Sequence, residues 1–386
     1  MPILSQRRGH KMAASAHAYM RGSTLKFYEW LEAQKRGSLP EGPPLWICGD
    51  CHASNLGPIS DAKGRVEVQI RDLDQTVIGN PAHDLIRLGL SLAMAARGSN
   101  LPGAATVTMI EQMVEGYGSA LLHPDDEPDG RPEAVRVVIN RAVRRSWKQL
   151  AQERIRDTKP TIPLGDAFWP LSRDERTKID GLFAQEPLRK LATILRSRPD
   201  NAGVEVLDAA YWIKGCSSLG RLRFAVLLAV GTKPKNTKLC LMDVKEAVAA
   251  AAPRYPQSTM PRNNAARVVE GAKHLSPSLG ERMLAAQLLD RAVVVRELRP
   301  QDLKLAFDSL TQNEAVNVGR YLARVVGRAH ARQMDVVTRK NWQKDLSRNR
   351  SKSLDAPSWF WSSIVSLVAS HEAAYLEHCR KYSEAA

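Results

Sequence analysis

ICGDCHASNLG, residues 47–57, carries two incompatible chemistries. Cys48, Cys51 and His52 spell the C-x-x-C-H signature of covalent haem attachment, whereas Asp50 and Asn55 stand in the D-x-x-x-x-N spacing of a kinase catalytic loop. The sulfur reading needs partners that the sequence does not supply. Haem attachment belongs to exported proteins, and MPILSQRRGHKMAASAHAYMRG at the N-terminus has charge without the apolar stretch of a secretory signal. A zinc site needs a second close Cys or His pair, which Cys216 and Cys240 do not form. A thioredoxin-type dithiol opens a helix after a strand, and here a hairpin pattern follows instead. Cys48 and Cys51 are therefore expected to be small, buried, reduced residues.

The oxygen reading gathers more of the chain. Phosphoryl transfer needs a carboxylate to take the proton of the attacking hydroxyl, and hard oxygen ligands to hold Mg²⁺ on the phosphates. Asp50 fits the first role. LGPI, the turn SDAKG and RVEVQIRDL then read as a β-hairpin that delivers Asp72 and Asp74 in IRDLDQT. Asn55, Asp72 and Asp74 are the expected metal ligands. GNPAHDLIRL follows, resembling the G-D-P-x-x-D-L stretch after the metal aspartate of aminoglycoside-phosphotransferase-like kinases. Asp84 within it is expected to be a structural hydrogen-bonding residue. Each of these residues alone is an ordinary turn former; the ordered set is what is specific.

Composition bounds the remainder. The chain of 386 residues is 44% hydrophobic and 25% charged, enough for a large two-lobed domain. No apolar run reaches membrane-spanning length, five scattered cysteines make no disulfide framework, and a cytoplasmic location is the expectation. The net charge of +15 favours phosphate-bearing partners, while 6% aromatics offers few stacking platforms for single-stranded nucleic acid.

Helical periodicity is expected over residues 12–35, 81–97, 104–121, 132–156, 175–197, 312–333 and 357–381. The texture changes near residue 204: YWIKGCSSLGRLRFAVLLAVGTKPKNTKLCLMDVKEAV reads as a glycine-containing turn, a strand, a Gly/Pro/Asn loop and a second strand, followed by a helix capped by Asn263 or Asn264 and the strand RAVVVREL. KGCSSLG places Gly215, Ser217, Ser218 and Gly220 where a glycine-rich phosphate loop would lie. Lys245, on a following strand, is placed to hold phosphates, and Glu270 on the next helix to pair with it. Ser217 stands where a middle glycine is expected, so backbone approach to phosphate there is restricted. His52 is expected to hydrogen-bond the loop or a metal-side aspartate, and Arg21 and His330 to brace loops.

AYMRG, GDCHASNLG, IRDLDQTVIGNPAHDLIRL, GCSSLGRLRFAVLL, VKEA, RVVEGAKHL, VVVRELRP and GRAHAR together resemble the bacterial domain-of-unknown-function family numbered 2252, over most of residues 10–335. The resemblance implies an α+β, protein-kinase-like two-lobed fold with circularly permuted lobes, mostly helical with a small antiparallel sheet lobe. The expected division is 1–203 for the catalytic-loop lobe, 204–310 for a nucleotide-gripping sheet lobe, and 311–386 for helices returning to the first lobe. ATP and Mg²⁺ are the expected cofactors; the resemblance leaves the hydroxyl acceptor unknown, and the lack of an activation-loop-like segment or protein-docking tract favours a small molecule. Two alternatives stay open: a nucleotide-binding regulatory module without turnover, and a basic nucleic-acid-binding protein prompted by the charge and the arginine-rich 136–156 segment.

Overall fold

The computed structural model describes residues 2–99, 101–126, 131–144, 161–195, 197–214, 219–231, 237–302, 311–347 and 356–383. The chain opens with three short helices, α1 (Pro2–Ala13), α2 (Ala16–Gly22) and α3 (Thr24–Glu32), where the sequence suggested one over 12–35. Serines account for the breaks. The Ser15 side chain accepts from the Ala18 amide and so starts a new helix, and Ser23 both ends α2 and precedes α3.

Strand β1 (Leu45–Ile47) leads into the quoted loop, which closes with a 3₁₀ turn at Ala53–Asn55. β2 (Leu56–Ser60) and β3 (Val66–Ile70) form the expected hairpin, and β4 (Val77–Gly79) returns to pair with β1. α4 (Pro81–Gly98) begins with an Asn80 cap and Pro81 in its first turn, and is buried along nearly its whole length. α5 (Gly103–Leu122) and α6 (Glu133–Arg144) follow; of the arginine-rich helix expected over 132–156, residues 145–160 lie outside the described residues.

Next come β5 (Phe168–Trp169), α7 (Arg173–Ala184) and α8 (Glu186–Thr193). These two helices replace the single one expected over 175–197, because Pro187 cannot continue α7 and instead fits the first turn of α8. The sheet strands are β6 (Gly203–Trp212), β7 (Arg223–Gly231) and β8 (Lys238–Glu246). Then α9 (Asn264–Leu275), a helical turn at Pro277–Gly280, β9 (Met283–Leu288) and β10 (Arg291–Leu298) complete that region. The six strands are antiparallel in the order β5-β6-β7-β8-β10-β9. Helices α10 (Gln312–Ala331), α11 (Val336–Leu346) and α12 (Ser358–Ser383) end the chain.

Two faces of this sheet have different fates. Phe224, Val226, Met242, Val244, Val293 and Val295 point to one side, where Ile179, Leu182, Phe183 and Leu188 of α7 and α8 cover them. The sheet lobe thus carries helices from before residue 204, which the sequence boundary had assigned to the first lobe. Alternate residues on the other side include Arg223, Asp243, Lys245 and Arg296, and the strand register sets Arg223 beside Lys245 and Arg296 beside Asp243. The larger core joins α3, β1, α4 and α5 with α10, α11 and α12. α9 contributes Val268, Val269, Ala272 and Leu275 to that same core and links the two halves. The whole is a mixed α+β protein, about half helical, with antiparallel sheets. Among the described residues no helix is long and apolar enough to cross a membrane.

Candidate functional site

The quoted loop is held by its backbone. Gly49 sits at φ +74°, and a Cβ there would lie 2.2 Å from the Gln75 carbonyl oxygen, so no other residue fits without displacing backbone. Its amide donates to Asp84 Oδ1 at 2.9 Å, and the Cys48 amide donates to Asp84 Oδ2 at 2.7 Å. Asp84 is fully buried and also meets His330 Nε2 at 3.2 Å. His330 Nδ1 lies 2.7 Å from the Tyr117 hydroxyl, which accepts from Trp342 Nε1 at 3.2 Å. A buried chain from α11 through α5, α10 and α4 therefore fixes residues 48 and 49, giving Asp84 and His330 the bracing roles read from the sequence. Tyr28 adds a bond to the Gly49 carbonyl at 2.6 Å.

Cys48 and Cys51 are wholly buried, and a hydrogen bond to Cys51 together with burial pushes the Cys48 thiol well up. One donor atom from each of Cys48, Cys51 and Asp84 falls within 4.8 Å of the others. Both Asp84 oxygens already accept from amides, and the group offers three donors where a structural zinc site takes four.

Asp50 projects from this braced loop. Arg87 donates to it at 3.0 Å from Nε, while Arg87 Nη2 donates to the Met20 carbonyl at 2.7 Å. Burial raises the Asp50 carboxyl pKa, a trend that Arg87 and the Thr24 hydroxyl oppose and nearby Asp72 reinforces. A carboxylate raised in this way is a better proton acceptor. Arg87 was not among the residues singled out from sequence, although one arginine inside the apolar run DLIRLGLSLAM is itself a sign of a buried anionic partner.

The hairpin places the metal-side residues. Leu56 pairs with Ile70, and the Arg71 amide donates to the Asn55 carbonyl at 2.7 Å, so Asn55 lies across from the segment leading into Asp72. The Asn55 Nδ2 donates to the Asp50 carbonyl at 3.0 Å, leaving the amide oxygen as the atom suited to a cation. Arg267 of α9, another residue not foreseen, is buried and donates to the Asp74 carbonyl at 3.0 Å and the Val248 carbonyl at 2.9 Å, and also to that of Thr76. It clamps the 74–76 backbone to the sheet lobe.

Lys245 reaches across from β8. Its ammonium pairs with Asp74 and lies 3.8 Å from Asp72 Oδ1. Desolvation would raise the Asp72 carboxyl, but Lys245, Arg296 and Arg223 outweigh it and hold the group well below the usual range. Asp74 is raised by burial and by Asp72 beside it. Behind Lys245, Arg223 donates to Asp243 at 2.6 and 2.8 Å in a buried pair, with Arg296 Nε at 3.5 Å from the same carboxylate. The small cavity among Asp72, Asp74, Asp243, Lys245, Val268 and Arg296 measures about 20 Å³, space for roughly one water. With Lys245 on Asp74 it does not admit a triphosphate.

Glu270 does not take the place read for it. It sits on the solvent side of α9, 3.2 Å from Lys273 and 3.8 Å from His274. Val268 is the α9 residue that lines the Lys245 cavity, and two residues along a helix turn a side chain to roughly the opposite face. Asp74 is the partner of Lys245 instead. His52 is 4% exposed and 4.0 Å from Asp50 Oδ2, with burial, Arg87 and Arg21 keeping it neutral by pushing its pKa well below the ordinary value. Gly220 has φ +89° in the β6–β7 connection, a conformation suited to glycine, whereas Gly215, Ser217 and Ser218 lie outside the described residues.

The chain belongs to a bacterial family: the family model described as "Uncharacterized protein conserved in bacteria (DUF2252)" matches residues 1–381. No curated protein and no solved structure matches the chain.

Proposed function

We propose that the protein is a kinase-like phosphotransferase with permuted lobes, moving the γ-phosphoryl group of ATP to a hydroxyl acceptor with the help of Mg²⁺. One observation carries the reading: the ammonium of Lys245 meets Asp72 and Asp74 across the junction of sheet and helical halves, beside the braced loop that presents Asp50 and Asn55. The element order supports it as well. A connection containing Gly220 joins β6 to β7, the lysine stands on the next strand β8, and a helix follows, as in the phosphate-gripping half of a protein kinase.

The donor set suits magnesium. Asn55, Asp72 and Asp74 offer hard oxygens, which would hold the ion, and the ion supplies charge neutralisation on the transferring phosphate. Asp50 takes the proton of the acceptor hydroxyl as the acceptor oxygen bonds to the γ-phosphorus and the bond from that phosphorus to the ADP oxygen breaks. Lys245 leaves Asp74 for the phosphates, so nucleotide and Asp74 compete for one ammonium. Arg87 keeps Asp50 aimed, and Asp84 keeps the loop backbone from moving during the transfer.

The test is transfer of labelled γ-phosphate to a panel of hydroxyl compounds, with Asp50→Asn beside the native chain. Transfer that Asp50→Asn slows by about 10²-fold or more supports the reading. Binding of nucleotide with no transfer to any acceptor supports the regulatory-module alternative. Salt-sensitive nucleic-acid binding that Asp72→Ala leaves unchanged supports the other.

A further inference from the structure

The surroundings of Asp50 contain more positive charge than its own pairing needs. Arg87 answers Asp50 at 3.0 Å and is fully buried, yet its Nη1 has no partner. Met20, which accepts from Arg87, precedes Arg21 on α2, so the α2–α3 corner lies against the Asp50 side of the loop. Arg21 makes no hydrogen bond or ion pair among the described residues, although its Nε is buried. His17 stands one helical turn before it, on the same side of α2. Both act electrostatically on His52, as do Arg87 and Asp72. His52 is itself 4% exposed, and its Nδ1 is a buried polar atom without a partner.

Buried polar atoms without partners cost stability, and a guanidinium held by α2 without a carboxylate has no structural task. A bound oxyanion would satisfy it. We propose that the acceptor at this site is itself an anion, a hydroxylated carboxylate or phosphate ester whose acidic group is held by Arg21 while its hydroxyl faces Asp50. The assignment rests on the phosphotransferase reading for the word acceptor; the oxyanion site rests on the geometry alone. Arg21 is a binding residue in this scheme, in place of the brace role read for it from the sequence, since it bonds to no loop among the described residues.

Thermal-shift titrations test it, using inorganic phosphate, glycerol 3-phosphate and glycerate as oxyanion probes and glycerol as the neutral control. The native chain is expected to be stabilised by at least one oxyanion probe and not by glycerol. Arg21→Ala should weaken that probe by about tenfold or more, as expected for loss of a charge-assisted contact, with Arg21→Lys retaining part of it. Lys245→Ala should leave it in place. No response to any probe, an unchanged response in Arg21→Ala, or loss in Lys245→Ala alone would overturn the site. Mg²⁺–ATP is titrated in parallel against Arg21→Ala, which is expected to respond as the native chain does. Oxyanion binding at Arg21 in a protein that transfers phosphate to neutral hydroxyl compounds and to no hydroxylated oxyanion would defeat the acceptor role alone; transfer to no hydroxyl compound of either kind would defeat the phosphotransferase reading, while the anion site would stand.

Discussion

Two polar networks lie on either side of the 48–55 loop, and they are built in opposite ways. Behind the loop, Asp84, His330, Tyr117 and Trp342 form a buried chain in which each link has a partner at 3.2 Å or less. In front, Lys245 is shared between Asp74 and a half-exposed Asp72, and Arg21 has no partner among the described residues. A satisfied buried network rigidifies, while charges left short of partners are available to a ligand. The back holds a backbone; the front waits for charge.

The largest effect should come from breaking the back. Asp84→Ala strands the amides of Cys48 and Gly49 and the ring of His330 in the interior. A stability loss on the order of 3 kcal/mol or more is expected in denaturant unfolding. A loss below about 1 kcal/mol would mean that the loop is held elsewhere. Gly49→Ala comes next, at roughly 2 kcal/mol, since it combines a left-handed residue with a Cβ 2.2 Å from a carbonyl oxygen. Tyr117→Phe removes one hydroxyl from the middle of the chain and should cost about 1–2 kcal/mol.

Acid probes a separate reserve. His371 is buried with its pKa lowered to about 4 by desolvation first and Arg87 second. The unfolded chain takes up that proton from about pH 6.5 downward and the folded chain only near 4, so stability falls across this window as pH drops. The slope is roughly 1.4 kcal/mol per pH unit at most for this group. Unfolding curves of His371→Gln between these pH values should be flatter than those of the native chain. The smallest change in unliganded stability belongs to the front: Asp72→Ala removes a half-exposed carboxylate 3.8 Å from its cation and should move the midpoint little. A large loss there would erase the contrast between the two networks.

The difference between the networks also explains what the sequence could reveal. The hairpin, the Asn80-Pro81 start of α4 and the Asn263 cap of α9 follow from local turn and cap chemistry, so they are readable in order along the chain. Asp50, Asn55 and Asp72 belong to one short stretch, so their spacing is readable directly. The Lys245 partner was misassigned because helix α9 could be recognised but not its rotation, and the rotation is set by Arg267, Gly271 and Thr76 meeting across the two halves. β6 escaped attention because GVEVLDAAYW mixes small and acidic residues into its alternation. The break at Ser15 depends on a single cap that competes with helix continuation, and that at Gln185 on Pro187 two residues further on.

The central claim is that Lys245 exchanges Asp74 for nucleotide phosphate. Calorimetric titration of Mg²⁺–ATP into the native chain, Lys245→Ala and Asp72→Ala tests it most directly. Magnesium-dependent binding in the native chain, lost or weakened by at least about tenfold in both variants, is the result the account predicts. Binding of equal strength in all three proteins, or none in the native chain, would contradict it.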